Sequence, residues 1–150
     1  MAHEMTPETR RAFLTAGTRT AILATTRSDG RPHAVPVCFV LEDDDVLFLT
    51  NGTTAKGRAL QRDPRVTVVV DDERPPFAFV MVEGTAHTSS EAGDIDRVAP
   101  RIAERYDGPD SVEAFVRFAH EALGMLVRVQ PTKIVALDRV GEHTDQNDVT

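Results

Sequence analysis

The stretch Leu47-Phe48-Leu49-Thr50-Asn51-Gly52-Thr53-Thr54-Ala55-Lys56-Gly57-Arg58-Ala59-Leu60 passes from a strand to a helix, and hydroxyl groups, glycines and two cations meet at the junction. Such a junction can bind a phosphate, because free backbone N–H groups at the start of a helix attract an anion. Thr53 or Thr54 adds a hydroxyl donor, and Lys56 and Arg58 add positive charge. An ordinary capped helix with solvent-facing cations has the same local pattern, so the spacing alone leaves both interpretations open.

The sequence before this junction predicts β-structure. Residues Thr20–Thr26 are rich in β-branched and small apolar side chains, and the turn Ser28–Gly30 separates them from a second strand at Pro32–Leu41. The acidic run Glu42–Asp45 then predicts a turn into a strand at Val46–Thr50. These segments together predict a hairpin that continues as a three-strand meander.

The remaining segments alternate between strands and inserted helices. Strands are predicted at 65–71, 77–88, 125–129 and 133–137, with a bulge at Gly84 in the second of them. Helices are predicted at 7–16, 54–62, 90–106 and 111–123, and Pro100 is expected to divide or kink the third. This gives about seven strands, mostly joined by short antiparallel turns. The order disfavours a Rossmann-type sheet and favours an antiparallel barrel with peripheral helices.

Length and composition limit the function classes. The 150 residues fit one domain, which we place at 1–140, with a loose polar tail at 141–150. The single cysteine, Cys38, excludes an intrachain disulfide and a cysteine zinc cluster. No apolar run is long enough to span a membrane and no secretory signal is present, which predicts a soluble cytoplasmic protein.

Charge argues against a nucleic-acid partner, because the net charge of −7 is opposite to the basic surface that such binding needs. The positive charges are concentrated in the first half, where ten Lys or Arg stand against eleven acids up to Pro75. If the chain binds an anion, we expect the site in this half.

Several motifs in order resemble a known family. The turn Ser28–Pro32, the strand His33–Val37, the helix Lys56–Leu60, the strand start Arg62–Val66 and the strand Val82–Ala86 look like the pyridoxamine 5′-phosphate oxidase-like superfamily. More narrowly, the chain is similar to the small actinobacterial flavin/deazaflavin oxidoreductases that use coenzyme F-420. The resemblance covers roughly residues 10–138.

The resemblance implies a mainly β (α+β) fold, a split antiparallel β-barrel with short peripheral helices that forms a homodimer with sites at the interface. It implies that Lys56 and Arg58 bind the cofactor phosphate, and that Thr50 and Asn51 line its ribityl chain or ring edge. The backbone of Val35-Pro36-Val37 would lie against the tricyclic ring. Arg128 is a further cofactor-binding candidate and a proton source alternative to water.

The function implied is an oxidoreductase in which reduced F-420 transfers a hydride from its C5 atom to an unsaturated organic substrate. FMN is the alternative cofactor, since Lys56 and Arg58 would satisfy either phosphate. F-420 also has a polyglutamate tail, for which Arg19, Arg27 and Arg31 are candidate partners. A non-enzymatic carrier of a flavin, haem or tetrapyrrole is the alternative from a different class.

The sequence also departs from the family pattern. Ala59 stands where the helix often has an asparagine, which removes one polar contact. The chain has no tryptophan and ends soon after Leu137, whereas true pyridoxamine phosphate oxidases have a C-terminal segment with tryptophan and arginine. We therefore reject vitamin B6 oxidation as the expected activity.

Overall fold

The structure of the chain, a computed structural model, describes residues 2–142. Within them lie eight strands and four α-helices. The strands are β1 His3–Glu4, β2 Ala21–Thr26, β3 Pro32–Val37, β4 Val40–Glu42, β5 Asp45–Asn51, β6 Arg65–Asp72, β7 Ala78–Ser89 and β8 Gly124–Asp138. The helices are α1 Pro7–Thr15, α2 Ala55–Arg62, α3 Ala92–Tyr106 and α4 Val112–Phe118, with a 3₁₀ turn at Pro109–Ser111 and a π-helical turn at Ala119–Leu123.

The strands form one antiparallel sheet in the order β3-β2-β6-β7-β8-β5-β4, with β1 added to β8. One face of nearly every strand contributes to a single apolar core, for example Leu23, Phe48, Val68, Val82 and Val127, all almost fully buried. The sheet therefore curls around this core. The end strands β3 and β4 do not pair with each other, so the barrel is split, and the predicted fold class is confirmed.

The predicted meander was wrong, because the expected strand Pro32–Leu41 is two strands. β3 pairs with β2, whereas β4 pairs with β5 at the other end of the sheet. The chain leaves one edge and crosses to the other at Cys38 and Phe39. The sequence does not show this interruption, because the apolar run continues through it. The buried residues before, within and after it are Val37, Phe39, Val40 and Leu41.

The two strands predicted at 125–129 and 133–137 are one continuous strand, β8. The register against β7 shifts between Glu83 and Gly84, where Glu83 pairs with Lys133 and Gly84 with Pro131. Thr132 is thus the extra residue of a bulge, which lets Pro131 stay in the strand. The predicted irregularity at Gly84 is confirmed. The predicted helix 90–106 is also continuous, since Pro100 lies inside α3 without dividing it.

Two helical layers close parts of the barrel. The helix α2 links the end of β5 to the start of β6, and its Leu60 is buried in the barrel core. The outer face of β5 and β8 is covered by α3, whose Val98 and Ile102 pack against Leu47 and Leu126. The helix α2 begins one residue later than predicted, and the hydroxyl of Thr54 caps it by accepting a hydrogen bond from the N–H of Gly57.

The other half of the outer sheet face has no helix over it in the described part of the chain. Directly paired residues of neighbouring strands share a face, and one such row is entirely apolar. This apolar row consists of Pro36, Ile22, Val69, Met81 and Val135 on β3, β2, β6, β7 and β8. Ile22, at 40%, and Pro36 are exposed, and the other three members of the row are half-buried, so the row forms an apolar strip on the outer face of five strands.

The sequence predicted a loose tail at 141–150 and no membrane span. Most of the predicted tail, residues 143–150, lies outside the described residues. Among residues 2–142, no helix has the length and apolar character needed to cross a membrane.

The bulge at Gly84 predicts a selective effect of a single methyl group. A Cβ there would lie 2.6 Å from the carbonyl oxygen of Gln130 and 2.8 Å from Cγ1 of Val129, so we expect Gly84→Ala to lower the free energy of unfolding by about 1–3 kcal/mol. Gly93→Ala is the matched control, because a Cβ at this position of α3 would have no other atom within 4 Å. Urea unfolding of both variants measures the difference, and equal stabilities would contradict the bulge geometry.

Candidate functional site

A cavity of about 270 Å³ lies between the free edge of β3 and the strand β5. The helical segments α2, α3 and α4 and the π-helical turn complete its walls. Its lining residues are Pro36, Val37, Cys38, Leu49, Lys56, Ile102, Tyr106, Asp107, Phe115 and Leu123. Most of these are apolar, and a few polar groups converge on them, which is the usual composition of a small-molecule site.

Lys56 provides the positive charge of this cavity. It is partly buried at the start of α2, and none of the described residues forms an ion pair or hydrogen bond with its ammonium group. The nearest acid in the lining, Asp107, is not within ion-pair distance of it. A cation without a partner at the wall of a mostly apolar cavity favours a bound anion.

Two larger clefts, of about 530 and 590 Å³, contain arginines that are paired with acids. One, of about 530 Å³, contains Arg19 and Arg74, and both of these pair with Asp72. The other, of about 590 Å³, contains Arg65, which pairs with Asp63. Compared with these two clefts, the smaller cavity combines mostly apolar walls with a cation that has no ion-pair partner among the described residues.

The loop before α2 is held by its own polar groups. The amide nitrogen of Asn51 donates to the carbonyl of Ala122 at 2.9 Å, and its side-chain oxygen accepts from the backbone N–H and the hydroxyl of Thr53. The hydroxyl of Thr54 donates to the carbonyl of Asn51. The hydroxyls of Thr53 and Thr54, which the sequence suggested as ligand donors, therefore form hydrogen bonds within the loop and hold its conformation beside the cavity.

Gly57 lets α2 lie against this loop. A Cβ at this position would lie 2.2 Å from the carbonyl oxygen of Asn51 and 2.8 Å from the Cα of Gly52, both backbone atoms. The helix start can approach the end of β5 this closely only without a side chain. The glycine between Lys56 and Arg58 therefore sets where Lys56 stands.

The end of α3 holds the two residues between β3 and β4, Cys38 and Phe39, of which Cys38 lines the cavity. The hydroxyl of Tyr106 accepts a hydrogen bond from the N–H of Phe39 and lies 2.7 Å from the carbonyl of Arg19. The guanidinium of Arg105 donates to the carbonyls of Phe39, Leu14 and Gly17 and stacks on the ring of Phe39. Backbone groups left unpaired by the break thus find side-chain partners.

Two further groups of the lining stay protonated near neutral pH. Burial and the charge of Asp107 raise the pKa of the Cys38 thiol, although Arg105 acts in the opposite direction. Burial also raises the pKa of the Tyr106 phenol. Neither group supplies an anionic nucleophile or base, so the lining favours binding and positioning over covalent catalysis.

The comparison with known protein families matches residues 6–134 to pyridoxamine 5′-phosphate oxidase. The chain belongs to this family. The match covers the barrel, α2 and the cavity-forming helices of this pyridoxamine 5′-phosphate oxidase family member, and it confirms the resemblance found in the sequence motifs.

Solved structures agree with this assignment. A conserved hypothetical protein of Mycobacterium tuberculosis is 26% identical, with a TM-score of 0.82 over 94% of this chain and 91% of that one. An F420 reductase is 22% identical, with a TM-score of 0.61 over 82% of this chain and 94% of that one. The haem storage protein of Vibrio cholerae is 20% identical, with a TM-score of 0.70 over 89% of this chain and 96% of that one. The last two likenesses concern the fold alone.

The structure brings together only some of the predicted site residues of this family member. Lys56, Pro36 and Val37 line the cavity. Arg58 is exposed and does not, because residues two apart on a helix point in different directions. Val35 lies on the same strand edge, one residue before Pro36.

The two predicted site residues of β5, Thr50 and Asn51, do not line the cavity. Thr50 is 1% exposed and shares the inward face of Val46 and Phe48, so its hydroxyl faces the barrel core, where it has no partner among the described residues. Asn51 uses its amide in the loop. On the opposite face of the same strand, Leu49 lines the cavity in their place.

Arg128 lies in an ion cluster on the outer face of β8. Its guanidinium donates to Glu42 at 2.6 Å and to Asp45 at 2.9 Å, and Arg97 also pairs with Glu42. The hydrogen bond from Arg128 is the main reason that the pKa of Glu42 lies below its usual value of 4.5. The structure gives Arg128 partners of its own and does not bring it to the cavity lining.

Sequence reasoning missed the helical walls of the cavity, Ile102, Phe115 and Leu123. These three residues come from three separate segments, α3, α4 and the π-helical turn. No local pattern shows that they meet at the edge of β3.

The ion cluster of Arg128 makes stability depend on acid pH. A carboxyl whose folded pKa is lowered stabilises the fold above its unfolded pKa and loses this contribution as the pH falls through the folded value. We expect Arg128→Gln to lower the free energy of unfolding at pH 7 by about 1 kcal/mol, and the difference to shrink as the pH falls below 4.5.

Arg117→Gln serves as the control, since its 3.9 Å pair with Glu113 is exposed and should contribute little. Denaturant unfolding at several pH values measures both variants. A pH-independent effect of Arg128→Gln would show that the cluster does not act through its carboxylates.

Proposed function

We propose that this chain is an oxidoreductase that binds a flavin-type cofactor in the cavity beside Lys56, and that this cofactor is reduced F-420. The observation that carries the proposal is an unpaired, partly buried cation in an apolar cavity at the free edge of a strand. A planar ring with an anionic substituent satisfies each of these features.

Lys56 would hold the anionic group. Its ammonium group can make charge-assisted hydrogen bonds to phosphate oxygens, which are stronger than neutral ones. Gly57 and the fixed loop at Asn51 place this group at the cavity rim without the cofactor. The site is therefore organised before binding, which lowers the cost of holding the ligand.

The edge of β3 would hold the ring. This strand pairs only with β2, so its other edge presents backbone groups toward the cavity. Pro36 lies on this edge, where its missing N–H costs no ladder bond. A heterocycle with carbonyl and N–H groups along one side can pair with such an edge much as another strand would.

When bound, reduced F-420 would supply a hydride from its C5 atom to an unsaturated organic substrate. The residues of this chain would act by position. Leu49, Ile102 and Phe115 exclude water from one side of the cavity, and Lys56 fixes the cofactor relative to them. With its raised pKa, the Cys38 thiol stays neutral and adds no competing nucleophile.

A test of this proposal removes the charge of Lys56. We expect Lys56→Gln to weaken binding of reduced F-420 by about 10- to 100-fold, because a charge-assisted hydrogen bond contributes about 1.5–3 kcal/mol. Lys133→Gln, the only other lysine and a β8 residue outside the cavity, should bind as the parent does. Fluorescence titration with F-420 and with FMN measures the affinities.

The outcomes separate the alternatives. Micromolar binding of FMN with none of F-420 would replace the cofactor in the proposal. Tight F-420 binding with no oxidation of the reduced form by a panel of enones and quinones would favour a carrier. Unchanged binding in Lys56→Gln would contradict the site itself.

We also propose that the chain forms a homodimer through the apolar row Pro36, Ile22, Val69, Met81 and Val135. The row crosses five neighbouring strands and so spans about 20 Å of the sheet. Pro36 belongs both to this row and to the cavity lining, so the interface would begin where the cavity opens. A 270 Å³ cavity is small for a whole cofactor, and the second subunit would complete it.

This interface predicts a charge-sensitive dimer. In a two-fold interface Ile22→Asp adds a buried carboxylate from each subunit, so we expect a monomer with weaker cofactor binding. Phe118→Asp is the matched control, because Phe118 is 50% exposed on α4, away from the row. Light scattering after size exclusion measures the mass. A monomeric parent chain, or a dimeric Ile22→Asp variant, would rule out this interface.

A further inference from the structure

Asp107 is the second charged group in the cavity lining. The side chains of Asp107 and Lys56 both line the cavity, and neither has an ion-pair or hydrogen-bond partner among residues 2–142. The fold holds the two opposite charges apart, with Lys56 at the start of α2 and Asp107 at the end of α3. The cavity therefore offers two separate charged contacts to the molecules that it binds.

The end of α3 is an unfavourable position for an acid. The backbone N–H of Asp107 donates to the carbonyl of Ala103 at 2.8 Å, so this residue caps the C-terminus of the helix. The helix dipole places partial negative charge there, which disfavours a carboxylate and favours a cation. The carboxylate of Asp107 and the helix end together make this side of the cavity negative.

The charge of Asp107 acts on another group of the lining. After burial, it is the second cause of the raised pKa of the Cys38 thiol. Arg105 acts on this thiol in the opposite direction, but its guanidinium is held by three backbone carbonyls and forms no ion pair with Asp107. Within the described residues, the negative charge of Asp107 is thus not cancelled by a paired cation.

A bound anion leaves Asp107 as the remaining charge of the lining. In the proposed complex, the anionic group of the cofactor neutralises Lys56. The other polar side chains, Cys38 and Tyr106, stay protonated near neutral pH, and the hydroxyl of Tyr106 is used at Phe39. A cationic group beside Asp107 would be attracted by the carboxylate and by the helix end, whereas an anionic group would be repelled by both.

We infer that Asp107 is a specificity-determining residue, which selects an unsaturated substrate with a positively charged nitrogen and excludes anionic substrates. The inference rests on the proposed function, because the cofactor has to occupy Lys56 first. The walls formed by Leu49, Ile102 and Phe115 require an apolar body beside this charge. An iminium compound or a protonated amine with an apolar ring combines both features.

The test titrates the protein, loaded with oxidised F-420, with three small rings that differ in charge: 1-methylpyridinium, toluene and benzoate. We expect Asp107→Asn to weaken binding of 1-methylpyridinium by about 3- to 5-fold, to leave toluene unchanged and to strengthen benzoate by a similar factor. Because Asp107 is exposed, these changes should shrink at high salt. Asp110→Asn is the matched control, since Asp110 is an exposed acid of the 3₁₀ turn outside the cavity lining. NMR titration measures the weak affinities.

An equal change for all three rings would show a structural role of Asp107 and overturn the inference. Unchanged binding of 1-methylpyridinium in Asp107→Asn, or the same pattern in Asp110→Asn, also overturns it. These outcomes leave the proposed function standing if Lys56→Gln still weakens binding of F-420. If F-420 does not bind the parent chain, the proposed function fails, and the same titrations are made on the free protein. A charge-dependent pattern there supports the selection of cations by Asp107, and its absence overturns the inference as well.

Discussion

The hydrogen bonds between the end of α3 and the backbone at Phe39 shape the rest of the molecule. Without the hydroxyl of Tyr106 and the guanidinium of Arg105, the N–H and C=O groups at the break would be buried and unpaired, which is costly. With them, one apolar run becomes two strands at opposite ends of the sheet. That separation leaves the edge of β3 free, and the cavity exists because no strand covers this edge.

The same arrangement makes the two halves of the outer sheet face unequal. The helix α3 must lie over β5 and β8 for Arg105 and Tyr106 to reach Phe39, so Leu47 and Leu126 are covered. The half formed by β3, β2, β6 and β7 is left with apolar side chains and no helix in the described residues. Exposed apolar surface often marks a protein interface, which supports the proposed homodimer. The free edge and the open face meet at Pro36.

Much of the fold could be predicted from the sequence, because the signals were local. Thr54 marked a helix start, Gly84 marked the bulge, and the β-branched run Val66–Val70 marked a strand. The break at Cys38 could not be predicted, since the groups that satisfy it come from residues more than sixty positions away. Pro131 predicted the end of a strand, but β8 continues through it, because the bulge that accommodates this proline depends on the facing strand β7.

Prediction from the sequence was also limited at the candidate site, within one turn of α2. The sequence Lys56-Gly57-Arg58 suggested two cations for one phosphate, but a helix turns residues two apart away from each other. Gly57 must face the carbonyl of Asn51, where no Cβ fits, and this fixes the rotation of α2. Lys56 then reaches the cavity, and Arg58 joins the face that carries Arg62. The glycine between the two cations therefore decides that Lys56, and not Arg58, faces the cavity.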